Sequence, residues 1–271
     1  MKDYYKLTAE ELGQDAKIPL VKLGETGEVF YEIAREMIAC IQEKAEAGED
    51  CVMIVPVGPV GQYPIFVRLV NEGNISLKHV TFVNMDEYLT DDEEWIDASD
   101  NLSFRGFMER TVYSKIKKEL VMPEEQRYFP DPKDPGKITR FLEKHPADLC
   151  VGGIGITGHV AFNEPEDVSP EEYLTRTTRV IEIAPETKTS NAIADLSGAI
   201  EAMPKKAATI GIKEIYDAKK IRLYVFRDWH RAVIRRAAYG EPSAGFPVSL
   251  LQKHPDCSIT CNANAAHPAV E

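Results

Sequence analysis

Two hydrophobic patterns alternate along the chain. Short strand-like stretches recur at Cys51–Val55, His79–Met85, Leu149–Val151, Ala208–Ile212, Ile221–Phe226 and Cys257–Cys261, and Cys51–Val55 is continuously apolar. Such a run marks a strand that is buried on both faces. Between them the spacing changes. Phe30, Ile33, Ala34, Met37, Ile38 and Ile41 fall on one helical face with Glu and Lys between them, and Gly48 stops the pattern. Further helices are predicted after Gly61 to about Val70, from Phe104 to about Ile116, up to His145, and near Asn191 to Ala202. A short one follows Ile212, and another runs from about His230 to Tyr239, ended by Gly240. Ile18–Leu23 reads as a short lead-in segment, Asp91–Asp100 as a solvated acidic loop, and Pro130–Pro135 as an extended connector.

Strands alternating with helices imply right-handed crossovers and an α/β fold, a doubly wound, mostly parallel sheet with helices on both faces. No repeat or domain-splitting linker interrupts the pattern. Residues 166–206 are polar and rich in Glu and Thr, which suits a mobile lid or an ordinary surface excursion. In open α/β sheets ligands bind beyond the carboxyl ends of strands, where the strand order reverses. Three such ends carry unusual residues: Pro56–Gly61, Asn84–Tyr88 and the stretch from Gly152 onward. These three are expected to converge.

Composition narrows the function classes. The chain has 271 residues, 44% hydrophobic and 28% charged, as in ordinary soluble globular proteins. A formal net charge of −12 argues against a nucleic-acid partner, yet a local pocket can still take a small anion. Met1–Tyr5 carries no apolar signal core and no apolar run reaches membrane-spanning length, so no membrane association and a cytoplasmic location are expected. Five cysteines, odd in number and mostly embedded in apolar runs, suit reduced core thiols. Cys257 and Cys261 lack a second pair of ligands, so no metal site is expected there.

The chemistry concentrates in two stretches. After the strand at Leu149, residues Gly152 to Pro165 hold four glycines within seven residues, then His159 and Glu164. Glycines let the backbone turn tightly and let a ligand approach it. An imidazole and a carboxylate just beyond suit proton transfer, although a glycine-rich turn with a surface His and a capping Glu would read the same way. Asn84-Met85-Asp86-Glu87-Tyr88 places two carboxylates side by side at a strand end. Side chains alternate there, so only one of Asp86 and Glu87 can face a site. A carboxylate shielded from water has a raised pKa and is a better base toward a carbon-bound proton.

Together, Asn84–Tyr88 and Gly158–Pro165 resemble the two signature segments of the glucosamine-6-phosphate deaminase family, relatives of 6-phosphogluconolactonase. The likeness extends over most of the chain. It implies a single Rossmann-like domain over residues 1–271. It also implies an enzyme that opens a sugar ring, moves a proton between C2 and C1, and releases ammonia from an amino sugar phosphate. No metal or redox cofactor is implied, and homo-oligomers follow from the likeness alone. By motif, Asp86 is the base at C2 and C1, His159 delivers the ring-opening proton, and Glu164 orients and tunes His159. The same transfer assigns substrate contacts to Gly58, Val60, Gly61, Glu87, Gly155, Thr157, Gly158 and Arg231.

The departures concern the phosphate and the relay. Thr157 stands where the family usually has Asp; a hydroxyl hydrogen-bonds but supplies no charge. Val57-Gly58-Pro59-Val60-Gly61 replaces a loop of the type Thr-Gly-Gly-Thr-Pro, losing both hydroxyls, and Pro59 has no backbone donor. Ile193 replaces an Arg that grips phosphate, and Arg231 replaces a Lys; Arg176 and Arg179 are nearby cations in sequence. Losing such donors is expected to weaken phosphate binding by roughly 1.5–3 kcal/mol each. Two alternatives therefore stand beside a deaminase of altered specificity. One is a sugar-binding regulator without turnover. The other is a non-deaminating isomerase or lactonase, the latter with His159 activating water.

Overall fold

The computed structural model describes residues 3–270. Its strands are β1 (Leu20–Lys22), β2 (Cys51–Val55), β3 (Val80–Asn84), β4 (Asp86–Leu89), β5 (Arg127–Tyr128), β6 (Leu149–Gly152), β7 (Arg179–Glu182), β8 (Lys206–Thr209), β9 (Ile221–Val225) and β10 (Cys257–Cys261). Seven of them form a parallel sheet in the order β1-β10-β9-β6-β2-β3-β5. The doubly wound α/β expectation holds.

The continuous apolar run has a direct cause. Along β2, Val52 and Ile54 enter one core with Cys150, Ile221 and Leu223, while Cys51, Met53 and Val55 enter the other with Leu149, Val151 and Tyr224. Each β2 residue therefore faces one core or the other, and no position in this strand is left for a polar side chain. The long helix Thr26–Ala47 buries Val29, Ile33, Ala34, Met37, Ile38, Cys40 and Ile41. It stops at Gly48, whose φ of 69° is the left-handed conformation that ends helices. The helix His230–Tyr239 ends at Gly240, as the pattern predicts.

The structure departs from the sequence expectation in its second layer. β4 does not continue β3 in the main sheet; it pairs antiparallel with β8, which pairs with β7, in a separate three-stranded sheet. The helix expected near Asn191–Ala202 instead spans Pro185–Asp195, with Pro185 in its first turn. The 166–206 segment thus contributes a strand and a helix to this layer. The helical stretch from Phe104 is regular only to Met108 and then widens over Glu109–Tyr113. All five cysteines are buried with free thiols. Among the described residues no helix is long and apolar enough to cross a membrane.

Strand order reverses between β2 and β6: the chain proceeds to β3 and β5 on one side, and through β9 and β10 on the other. The loops leaving β2 and β6 are pressed together there. A Cβ added to Gly153 would lie 3.1 Å from the Gly58 carbonyl oxygen and 3.2 Å from Pro59 Cδ.

Candidate active site

A cavity of about 480 Å³ opens at this reversal. The three expected strand ends do converge on it: Pro56–Val60, Met85 with Asp86 and Tyr88, and Gly153–Gly155 with His159. The end of β9 and the Pro185–Asp195 helix close the remaining walls.

Asp86 begins β4, opposite Thr209. It is only 7% exposed, yet it lines the cavity, and among the described residues no donor hydrogen-bonds its carboxylate. Burial, and then the charge of Glu87, push its pKa well above the ordinary carboxylate value. Glu87 points the other way because strand side chains alternate. It is fully buried and accepts hydrogen bonds from Ser103 Oγ (2.9 Å), Phe104 N (3.0 Å), Arg105 N (2.9 Å) and Arg105 Nε (3.2 Å). The substrate contact expected of Glu87 is therefore corrected: its oxygens cap the Phe104–Met108 helix and hold Arg105.

His159 lines the cavity beside Gly155. Its Nδ1 lies 2.7 Å from Thr157 Oγ1, 3.2 Å from Thr187 Oγ1 and 3.3 Å from Glu164 Oε2. Thr157 donates its one hydroxyl proton to Glu164 Oε2 at 3.1 Å. Its lone pair is then the partner of Nδ1–H, which assigns the proton to Nδ1 and leaves Nε2 without a protein partner. Burial raises the Glu164 pKa, but hydrogen bonding and attraction from His159, with help from Thr187 and Thr157, outweigh it and hold the carboxyl below its usual value. Thr157 and Glu164 do not line the cavity; they stand behind the imidazole.

Gly155 is required by contact: a Cβ there would overlap the Cε1–Nε2 edge of the His159 ring. Gly158, with φ of 82°, donates to the Gly155 carbonyl (2.9 Å) and packs against the Phe246 ring, so it shapes the loop and does not line the cavity.

The loop Val57–Gly61 divides. Gly58 and Val60 line the cavity, whereas Gly61 lies against Phe30, where any Cβ would overlap the ring. Arg231 does not line the cavity either: its Nε donates to Asn264 O at 3.0 Å and its Nη2 to Asn264 Oδ1. Arg176 is held by Glu166 and Glu172, and Arg179 by Asn163 and Glu166. Ile193 is 66% exposed and points away from the lining. Among the described residues the cation that does line the cavity is Arg227.

Several residues in or behind the cavity wall escaped the sequence reading. His230, 4% exposed, accepts from Phe226 N (3.1 Å) and Arg227 N (2.8 Å) through Nδ1 and donates from Nε2 to Ile154 O (3.0 Å). Burial drives its pKa down to about 3, so it is neutral and ties the end of β9 to the glycine loop. Asn191 lines the cavity and donates to Tyr88 Oη at 3.0 Å. Thr187 has no sequence signal beyond its place in a helix.

A parallel α/β sheet with a free carboxylate and an imidazole facing one cleft at its strand reversal defines a class of small-molecule acid–base sites. Within that class the relatives are specific. The chain is 30% identical to the glucosamine-6-phosphate deaminase of Streptococcus pneumoniae (strain 70585) over 241 residues, 88% of this chain and 92% of the relative. It is 29% identical to that of Lachnoclostridium phytofermentans over 242 residues, 86% of this chain and 95% of the relative. A solved monomeric glucosamine-6-phosphate deaminase superposes with a TM-score of 0.79 at 25% identity, covering 91% of this chain and 98% of the other. The 6-phosphogluconolactonase from Leishmania guyanensis shares the fold, with a TM-score of 0.63 at 16% identity over 93% of this chain and 99% of the other. No family model matches. The chain belongs to the glucosamine-6-phosphate deaminase family.

Proposed function

We propose that this protein is an amino sugar phosphate isomerase and deaminase, with Asp86 and His159 as its catalytic pair. The observation that carries the proposal is that both groups face one cavity, Asp86 with a carboxylate free of protein partners and His159 with a free Nε2. The bound pyranose opens when His159 Nε2 takes up the C1 hydroxyl proton and delivers it to the ring oxygen as the bond between C1 and that oxygen breaks. Asp86 removes the C2 proton of the open 2-amino aldose, giving an enolamine, and returns a proton to C1. The resulting C2 imine takes up water and expels ammonia, leaving the ketose. Its raised pKa makes Asp86 a stronger base toward carbon once ionised. Thr157 and Glu164 fix the imidazole from behind.

A lactonase reading would use the same fold and His159 but leaves Asp86 without a task. We read residues 1–271 as one domain, with 166–206 as a cover over the cavity; Ser190, Asn191, Ala194 and Asp195 from this segment lie on its wall. Such a cover would exclude water from the open-chain intermediates. The test is ammonia release and ketose formation across amino and neutral sugar phosphates. Silence across the panel, with binding retained, would replace this reading with that of a sugar-binding regulator.

A further inference from the structure

We propose that Arg227, and not Arg231, is the residue that grips the substrate's phosphoryl group. This rests on the sugar phosphate reading above. Each other arginine that the sequence offered is already held: Arg231 by Asn264, Arg176 by Glu166 and Glu172, and Arg179 by Asn163 and Glu166. Asn264 is fixed in turn by donating to Asp228 Oδ1, so the Arg231 guanidinium sits in a closed network. Arg227 forms no ion pair among the described residues, and its guanidinium carbon stands 5.9 Å from the Phe226 ring centre. It lines the cavity just after β9, and its backbone is fixed by the 2.8 Å bond to His230 Nδ1. A side chain with an anchored base and an uncommitted fork-shaped cation suits bidentate binding of a phosphoryl group.

Asp195 also lines the cavity, and the Arg227 charge acts on it. Asp195 is an acidic group of the same wall on which that field acts, and a phosphoryl dianion has to compete with it. The geometry thus assigns opposite effects to the two residues. Arg227 attracts the phosphoryl group and Asp195 opposes it.

The experiment is isothermal titration calorimetry with glucitol 6-phosphate and with glucitol, acyclic ligands that lack a carbonyl and are not turned over. Wild type is compared with R227A, R227K, R231A and D195N, each checked for an unchanged melting transition. The expected result is a loss of at least tenfold in glucitol 6-phosphate affinity for R227A, partial recovery in R227K, and tighter binding in D195N. The loss should shrink at high salt, since the contact is ionic and exposed. Equal binding by R227A and wild type would overturn the proposal. So would a larger loss in R231A than in R227A, or no preference of wild type for the phosphorylated ligand. Because neither ligand reacts, absence of ammonia release would refute the isomerase reading without touching this result.

Discussion

Thr157 Oγ1 lies 2.7 Å from His159 Nδ1 and donates a hydrogen bond to Glu164 Oε2, 3.1 Å away. A neutral hydroxyl therefore bridges the imidazole and the carboxylate. Where the family resemblance implies a carboxylate, Thr157 offers a hydroxyl, so Glu164 is the carboxylate beside Nδ1.

Removing that bridge has a defined consequence. In Thr157→Ala, Glu164 remains 3.3 Å from Nδ1 and Thr187 remains 3.2 Å away, so the ring keeps partners but loses its shortest one. The expected result is a fall in kcat of about tenfold, the effect of one hydrogen bond of about 1.4 kcal/mol, with KM little changed. Thr157→Ser should restore most of the rate. Steady-state kinetics on the three proteins decides it.

Asp86→Asn separates chemistry from stability. Loss of the base should lower kcat by roughly 10²–10⁴-fold. Stability should move the other way. The folded Asp86 pKa is raised, so between its unfolded and folded values the unfolded chain has lost a proton that the native state keeps. Unfolding is thereby favoured as pH rises. The Asn variant escapes this penalty, so its Tm should exceed that of wild type at pH 7 and converge with it near pH 3.5. Differential scanning calorimetry at the two pH values checks the sign.

Glu164 carries the opposite linkage. Its folded pKa is lowered, so its stabilisation is present above the ordinary carboxylate pKa and disappears as pH falls through the lowered value. Glu164→Gln should cost about 1–3 kcal/mol at neutral pH. In acid, once both states are protonated, the difference should vanish. Urea unfolding across pH measures it.

Gly155→Ala tests whether the imidazole must lie against the glycine. The added methyl would overlap the Cε1–Nε2 edge of His159, so the ring has to leave its place. Activity should fall by about 10²-fold or more, as for displaced catalytic groups. Gly155 does not have positive φ, so the backbone accepts Ala and the protein should still fold. An unaltered rate would mean that the ring position does not matter.

The parts of the fold set by local pattern were legible. β2 is a continuous apolar run because both its faces are covered, and Gly48 and Gly240 stop their helices. The second sheet was not legible, since β4, β7 and β8 are defined by antiparallel pairing between residues far apart in sequence. Alternation foretold that one of Asp86 and Glu87 would face a site, and the structure selects Asp86 because Glu87 caps the next helix. Spacing could not reveal that Asn264 would hold Arg231.

The account turns on one cleft in which Asp86 and His159 handle the same sugar. The most direct test is to incubate glucosamine 6-phosphate in D₂O with wild type, D86N, H159N and the double variant, following ammonia release and the hydrogens at C1 and C2 by NMR. The account predicts ketose and ammonia from wild type, no C2 exchange in D86N, and a double variant no slower than the worse single one. Turnover by D86N at the wild-type rate would contradict it.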